Sequence, residues 1–403
     1  MKILMLSATF PYPPTRGGTQ VRTFNLLKYL SQHHSITLVT QNDADVRESE
    51  ITALRNCVEH LEVFDRPRDS GTSGSIIKKI QRFSTFLLQG TPPSVLNRYS
   101  LEMQAWIENF VNAGKCDVIT CEHSVNEIYV RSHFQNQIKT IVNVHSSVYG
   151  TCLNQLSTGT SENKLRDQIT LPLLRRYEKS YCSKFSNIVV TTAEDKQQLQ
   201  QFNPQAEIAV IPNGVDLVSF PNRNSDPGGQ RLIFIGAMDN LANIDAVCFF
   251  SNEVLPEIQK HYPNAIFDIV GSRPAPEVLA LKGKPGINVI GAVPSMAEYL
   301  HQATLCVVPM RTGFGIKNKT LEAMAAGVPI VASDRGLEGL TVDKPLLALR
   351  ANQPTEYITA IRQIFEQPQL RFELSRNARQ LVETEFTWDI AGKRYEQVCL
   401  GNY

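Results

Sequence analysis

The chain has 403 residues, 42% hydrophobic and 20% charged, an ordinary balance for a globular protein with room for two domains. This excludes a long disordered chain, a collagen and a small disulfide-stapled scaffold. Lysine plus arginine number 40 against 39 acidic residues, a formal net charge of +1, so no global field gathers nucleic acid and no nucleic-acid partner is expected. The eight cysteines form no Cys-x-x-Cys pair and read as reduced, mostly buried thiols of a cytosolic protein. No apolar run reaches the ~18 residues that a membrane span needs.

The chain enters directly into Lys2-Ile3-Leu4-Met5-Leu6, which reads as a first strand rather than a signal peptide. Strands are expected at Ile3–Ser7 and Ile36–Thr40, with a helix between them. Val21, Phe24, Leu27 and Leu30 recur every three residues and predict that helix's buried face. Before it lies Pro14-Thr15-Arg16-Gly17-Gly18-Thr19-Gln20. Paired glycines permit a tight turn, and the helix start that follows offers free N–H groups to an anion. A plain turn is the simpler reading of Gly17 and Gly18 alone.

Residues 71–100 break the strand–helix alternation. Ile76, Ile80, Phe83 and Leu87 share one helical face, with Lys78, Lys79 and Arg82 elsewhere. An insertion helix is the first reading, and peripheral contact of 76–88 with a membrane surface the second. Further strands are expected at Val118–Cys121, Thr140–Val144 and Asn187–Thr191. His145 follows the second of these and is suited to hydrogen-bonding a sugar hydroxyl or to acid–base assistance. A packed histidine is the competing reading.

After Ile208–Ile211 comes Pro212-Asn213-Gly214-Val215-Asp216, a turn cluster suited to a hinge. A second series of strands follows at Leu232–Ile235, Ala265–Val270, Asn288–Ile290, Leu305–Val308 and Pro329–Ala332. Alternation of this kind predicts two doubly wound α/β domains of parallel strands, divided near 212. Ligands of such sheets bind at the carboxyl ends of the strands.

The segment Pro309–Gly327 carries the strongest signal. A strand ends, a glycine-bearing loop with Arg311, Lys317 and Lys319 follows, and a helix begins at Asn318-Lys319-Thr320. Cations and helix-start amides gathered at a strand end suit a phosphate or diphosphate. Glu322, one turn into the helix, is placed to accept hydrogen bonds from paired sugar hydroxyls.

Taken together, Gly17-Gly18, Pro212–Asp216, Gly236, Val293-Pro294, Glu322-Ala323-Met324-Ala325 and Gly336-Leu337-Glu338-Gly339-Leu340 resemble retaining glycosyltransferases of family 4. The resemblance covers most of the chain and is strongest from 208 to 341. It implies the GT-B fold, two Rossmann-like domains facing across a cleft. The implied domains are 1–211, completed by a C-terminal helix over 386–403, and 212–385. Two departures stand out. Phe314 occupies the place of the first of the family's two motif glutamates, Glu322 being the second. No cation follows Gly236, where the family often has an Arg and a Lys; the Gly315-Ile316-Lys317-Asn318-Lys319 run marks a subgroup.

The resemblance implies a retaining, metal-independent transfer from a nucleotide-diphosphate sugar to a sugar, lipid-linked or small-molecule acceptor, with no further cofactor. Gly236 and the backbone at Ile290 and Val293 would border the donor, and Glu322 would hold its ribose. Arg311, Lys317 and the helix start at Asn318, Lys319 and Thr320 would stabilise the departing diphosphate. Gly17 and Gly18 would close the site, and His145 would position the sugar or acceptor. An epimerase or phosphorylase of the same fold, and a catalytically silent nucleotide-sugar-binding module, are the rival readings.

Overall fold

The computed structural model describes residues 1–14, 17–43, 45–67, 86–87, 90–145, 147–159, 161, 163–313 and 315–403. Phe314 and all of the 76–88 stretch except Phe86 and Leu87 lie outside the described residues. The chain divides into two compact units. Unit 1 is Met1–Pro212 with Ala391–Tyr403, and unit 2 is Asn213–Ile390.

Unit 1 contains β1 (Lys2–Ser7), β2 (Ser35–Asn42), β3 (His60–Asp65), β4 (Val118–Glu122), β5 (Lys139–Val144), β6 (Asn187–Val190) and β7 (Glu207–Val210). They form one parallel sheet in the order β3-β2-β1-β4-β5-β6-β7. Ile3 to Leu6 are buried to 1% exposure or less, as a strand covered by helices on both faces requires. Unit 2 contains β8 (Arg231–Ile235), β9 (Ile266–Val270), β10 (Ile287–Gly291), β11 (Leu305–Val308), β12 (Ile330–Ala332) and β13 (Leu349–Arg350). Its sheet runs β10-β9-β8-β11-β12-β13, again all parallel.

Both sheets are doubly wound. The strand order reverses between β1 and β4 in unit 1 and between β8 and β11 in unit 2. Crossovers leave the sheet in opposite directions at these points, so a crevice opens beyond the strand carboxyl ends. In unit 1 this brings together the residues after Ser7 and Glu122. In unit 2 it brings together Gly236 and the segment that begins at Pro309.

The helix Gly18–Leu30 differs from its sequence pattern. Its buried residues are Arg22, Thr23, Leu26, Leu27 and Leu30, whereas Val21 and Phe24 are only half-buried. The face is turned because Arg22 Nε donates to Asn143 Oδ1 at 3.1 Å. Asn143 Nδ2 in turn donates to Glu122 Oε2 at 2.8 Å. The C-terminal helix Trp388–Leu400 completes this network: Tyr395, fully buried, donates to Glu122 Oε1 at 2.6 Å. Burial pushes the Glu122 carboxyl above its ordinary range despite these donors.

Glycine is required where unit 2's strand ends crowd. A Cβ on Gly271, just past β9, would lie 1.7 Å from the carbonyl oxygen of Gly236, just past β8. That neighbour is backbone and has no rotamer to change. Gly271→Ala is therefore expected to destabilise the protein by roughly 2 kcal/mol or more through forced backbone displacement. Thermal or urea denaturation reads this directly, and a wild-type midpoint would contradict the close approach.

Candidate functional site

Unit 2's site is built at its switch point. The helix Asn318–Ala325 starts after the β11 loop, and Lys317 is its N-cap residue with no side-chain cap. The Thr320 and Leu321 amides donate back to the Lys317 carbonyl at 3.0 and 3.3 Å. Among the described residues the Asn318 and Lys319 amides meet no acceptor, which leaves two N–H groups at the positive end of the helix dipole. Asn213, the first residue of unit 2, donates from Nδ2 to Asn318 Oδ1 at 2.8 Å. The hinge-like motif thereby fixes the helix start.

The three cations of this segment have different surroundings. Arg311 makes a two-pronged pair with Asp245, from Nε to Oδ2 at 3.0 Å and from Nη2 to Oδ1. Its guanidinium also lies 4.9 Å from the Phe249 ring centroid. Lys317 is buried, with Nζ 3.0 Å from Glu338 Oε2 and a bond to the Gly315 carbonyl. Arg335 binds the other oxygen of Glu338 at 2.9 Å. Lys319 Nζ instead donates to a neutral amide, Asn243 Oδ1, at 2.7 Å, and lies 5.0 Å from the Phe234 ring centroid.

Arg311 and Lys317, expected from the sequence to supply the charge missing after Gly236, are thus both engaged in ion pairs. Each is held by a carboxylate, and the ammonium that reaches Gly236 belongs to Lys319. A Cβ on Gly236 would lie 3.2 Å from Lys319 Cε and 2.9 Å from Asn243 Nδ2. Thr320 is engaged as well. Its buried hydroxyl donates to the Gly336 carbonyl at 2.8 Å, which explains why the Gly336–Leu340 motif accompanies the helix.

Glu322 shares the helix with Lys319, one turn further on. Among the described residues its half-buried carboxylate has no hydrogen-bond donor. Burial pushes it up to about 7, with Lys319 pulling the other way. Burial, assisted by nearby Lys317, brings Lys319 down to about 8 while Glu322 opposes the change. Both groups thus titrate near neutral pH, with Lys319 still mostly protonated at pH 7, as expected of charges withdrawn from water without full compensation. Gly236, Gly271 and Gly291 end neighbouring strands, linked by the Gly236 amide to the Val270 carbonyl at 3.1 Å and the Gly271 amide to the Gly291 carbonyl at 2.9 Å. Ile290 packs half-buried on the core of unit 2 within this row, and so does Val293 just beyond it.

In unit 1, Gly17 caps the Gly18–Leu30 helix in extended backbone, and a Cβ on Gly18 would meet nothing within 4 Å. The helix start is open at that point. His145 follows β5, its ring centroid 5.1 Å from that of His123 in an edge-on contact. Burial, then the neighbouring His123 and Arg22, hold His145 well below the ordinary imidazole range. Burial, then Arg98, bring His123 down to about 4. Both rings are neutral near pH 7. His123 was missed in the sequence. The signal in the sequence is its place just after the apolar strand segment; the structure adds a left-handed backbone, φ 87°, that a non-glycine residue seldom takes.

Other features are less apt. The Asp43-Ala44-Asp45 stretch is an Asp-x-Asp pair in the sequence, and its Asp43 is held by Arg66 at 2.6 Å. A groove of about 430 Å³ runs beside Arg223, Phe372 and Arg376. Arg223 donates to the Ala303 carbonyl, just before β11, so the groove lies toward the amino ends of the strands. Among the described residues no helix is long and apolar enough to cross a membrane.

Comparison with known proteins places this geometry. A model described as Glycosyltransferase Family 4 matches residues 16–219, and one described as Glycosyl transferases group 1 matches residues 229–367. The chain belongs to glycosyltransferase family 4. It is 25% identical over 229 residues to a glycogen synthase of Mycobacterium tuberculosis, covering 53% of this chain and 54% of that protein. It is 30% identical over 132 residues to the phosphatidyl-myo-inositol mannosyltransferase of the same organism, covering 31% and 34%. The chain thus spans about half or less of the length of these curated relatives. The sucrose-phosphate synthase of Thermosynechococcus elongatus superposes with a TM-score of 0.69 at 19% identity, covering 99% of this chain and 98% of that one. Anabaena HepE, in complex with UDP and glucose, superposes with a TM-score of 0.63 at 15% identity over the full length of both chains. The fold is that of GT-B glycosyltransferases.

Because the Glu322 carboxyl is raised in the folded protein, its ionisation costs stability that is fully present at low pH and lost as the pH rises through about 7. Glu322→Gln, which cannot ionise, is expected to gain about 1–3 kcal/mol over wild type above pH 7 and almost nothing near pH 4. Urea denaturation at the two pH values checks this. An equal effect at both would contradict the desolvated carboxylate.

Proposed function

We propose that the protein transfers a glycosyl group from a nucleotide-diphosphate sugar to a hydroxyl acceptor, with retention of anomeric configuration and without a metal ion. Unit 2 holds the donor. The observation that carries the reading is the half-buried cation of Lys319 beside the free helix-start amides and the donor-less carboxylate of Glu322. A nucleoside diphosphate complements all three. Its phosphates need an ammonium and N–H groups, and its ribose hydroxyls need an acceptor. Family membership supports the reaction class, as do the activities in the names of the relatives.

The chemistry asks little of the chain beyond electrostatics. The bond between the anomeric carbon and the diphosphate oxygen breaks, and its electron pair stays on the diphosphate. The acceptor oxygen bonds to the anomeric carbon on the face the diphosphate leaves. The acceptor's proton passes to the departing phosphate oxygen. Negative charge grows on the leaving group, so fixed N–H dipoles and a cation there lower the barrier selectively. The Gly18 helix start and the neutral imidazole of His145 are the unit 1 groups suited to substrate hydroxyls or phosphate oxygens.

Calorimetric titration with UDP, GDP, ADP and dTDP, with magnesium and with chelator, tests this. One base is expected to bind, with an affinity insensitive to chelation. Glu322→Ala is expected to weaken it about 10-fold, about 1.4 kcal/mol, through loss of the ribose acceptor. Failure of all four at millimolar concentration would overturn the assignment.

A further inference from the structure

We infer that Lys319 is the catalytic cation that receives the departing diphosphate, and that Asn243 is the positioning residue that holds it there without cancelling its charge; this rests on the donor reading above. The argument begins with a charge account of the β11 loop. Arg311 is neutralised by Asp245. Lys317 shares Glu338 with Arg335. A phosphate offered to either must compete with a carboxylate already in place. Lys319 is held by the amide of Asn243, which has a dipole but no net charge.

Asn243 is itself oriented. Its Nδ2 donates to the Ala237 carbonyl at 2.8 Å, so its Oδ1 is left for Lys319 at 2.7 Å. The side chain is buried and sits in the first turn of the Leu241–Phe249 helix, which starts after Gly236. An ammonium has three N–H donors. One goes to Asn243, and one faces the weak acceptor Met310 Sδ at 4.0 Å. Hydrogen-bonding capacity therefore remains for phosphate oxygens. Gly236 makes the arrangement possible, because a side chain there would press on both Asn243 and Lys319. The cation absent from residues 236–243 is thus brought to the same place from the Asn318–Ala325 helix.

During transfer the pair of electrons released from the anomeric C–O bond becomes negative charge on the diphosphate, next to an ammonium whose hydrogen-bond partners include no carboxylate. A carboxylate at 243 would supply that countercharge. Asn243→Asp changes few atoms, yet it converts a neutral tether into an ion pair and adds repulsion toward phosphate.

The test uses the full chain and compares the mono- and diphosphates of uridine, guanosine, adenosine and thymidine by calorimetry. Circular dichroism and thermal midpoints report folding of each variant. Wild type is expected to prefer one diphosphate over its monophosphate. Asn243→Asp and Lys319→Met are expected to lower that preference about 10-fold or more, the scale of one charged hydrogen bond. Asn243→Ala is expected to lower it less, and Lys319→Arg, which keeps the charge, to retain most of it. An unchanged preference in Lys319→Met, or Asn243→Asp matching Asn243→Ala, would overturn the inference while leaving the donor reading in place. A wild type that binds none of the eight nucleotides would overturn the donor reading and the inference with it.

Discussion

A lysine ammonium withdrawn from water without a carboxylate bonded to it is expensive, and the arrangement of unit 2 depends on how that cost is met. The groups in direct contact with the Lys319 ammonium carry partial charges: an amide oxygen, an aromatic face and a thioether. Holding it there requires Gly236 to lack a side chain, Asn243 to be fixed by the Ala237 carbonyl, and the helix beginning at Asn318 to be anchored by Asn213. Each requirement is local, but together they tie β8, the helix after it, the β11 loop and the first residues of the unit into one unit of structure. An anion relieves the electrostatic cost, so the same features that make the empty site less stable favour binding.

Parallel topology makes the convergence possible. Every strand of a parallel sheet ends at the same edge, so loops far apart in sequence become neighbours. Gly236 and Lys319 come from opposite sides of the switch point between β8 and β11. Unit 1 repeats the plan with different chemistry. Its switch point, between β1 and β4, carries neutral groups. His123 and His145 are edge to face, above a buried network in which Arg22, Asn143 and Tyr395 converge on Glu122. Tyr395 comes from the C-terminal helix, so the geometry at the ends of β4 and β5 rests on a residue at the far end of the chain.

Much of the fold was legible because a doubly wound sheet is written as short apolar runs. β1, β8 and β11 are continuous hydrophobic segments, and their burial on both faces leaves no polar alternation to confuse them. β3 was illegible because His60, Glu62 and Asp65 interrupt it, as an edge strand allows. β13 has only two residues. The face of the first helix departs from its apolar spacing because Arg22 is buried there, and its partner Asn143 lies too far along the chain to register in a helical pattern.

The candidate site was legible as a place but not as a set of roles. A glycine-bearing loop with three cations before a helix located it. Nothing in the spacing of Arg311, Lys317 and Lys319 tells which of them meets a carboxylate, because Asp245 and Glu338 are supplied from elsewhere in unit 2. Asn243 carries no charge and no motif, and its part emerges only from the Lys319 contact.

The most direct measurement is a crystal structure of the full chain with the nucleoside diphosphate that binds it. The account predicts the terminal phosphate on Lys319 and on the amides of Asn318 and Lys319, with the ribose hydroxyls on Glu322 and with Arg311 and Lys317 still held by Asp245 and Glu338. A diphosphate seated on Arg311 or Lys317 after displacement of those carboxylates, with Lys319 still on Asn243 and out of reach, would contradict it.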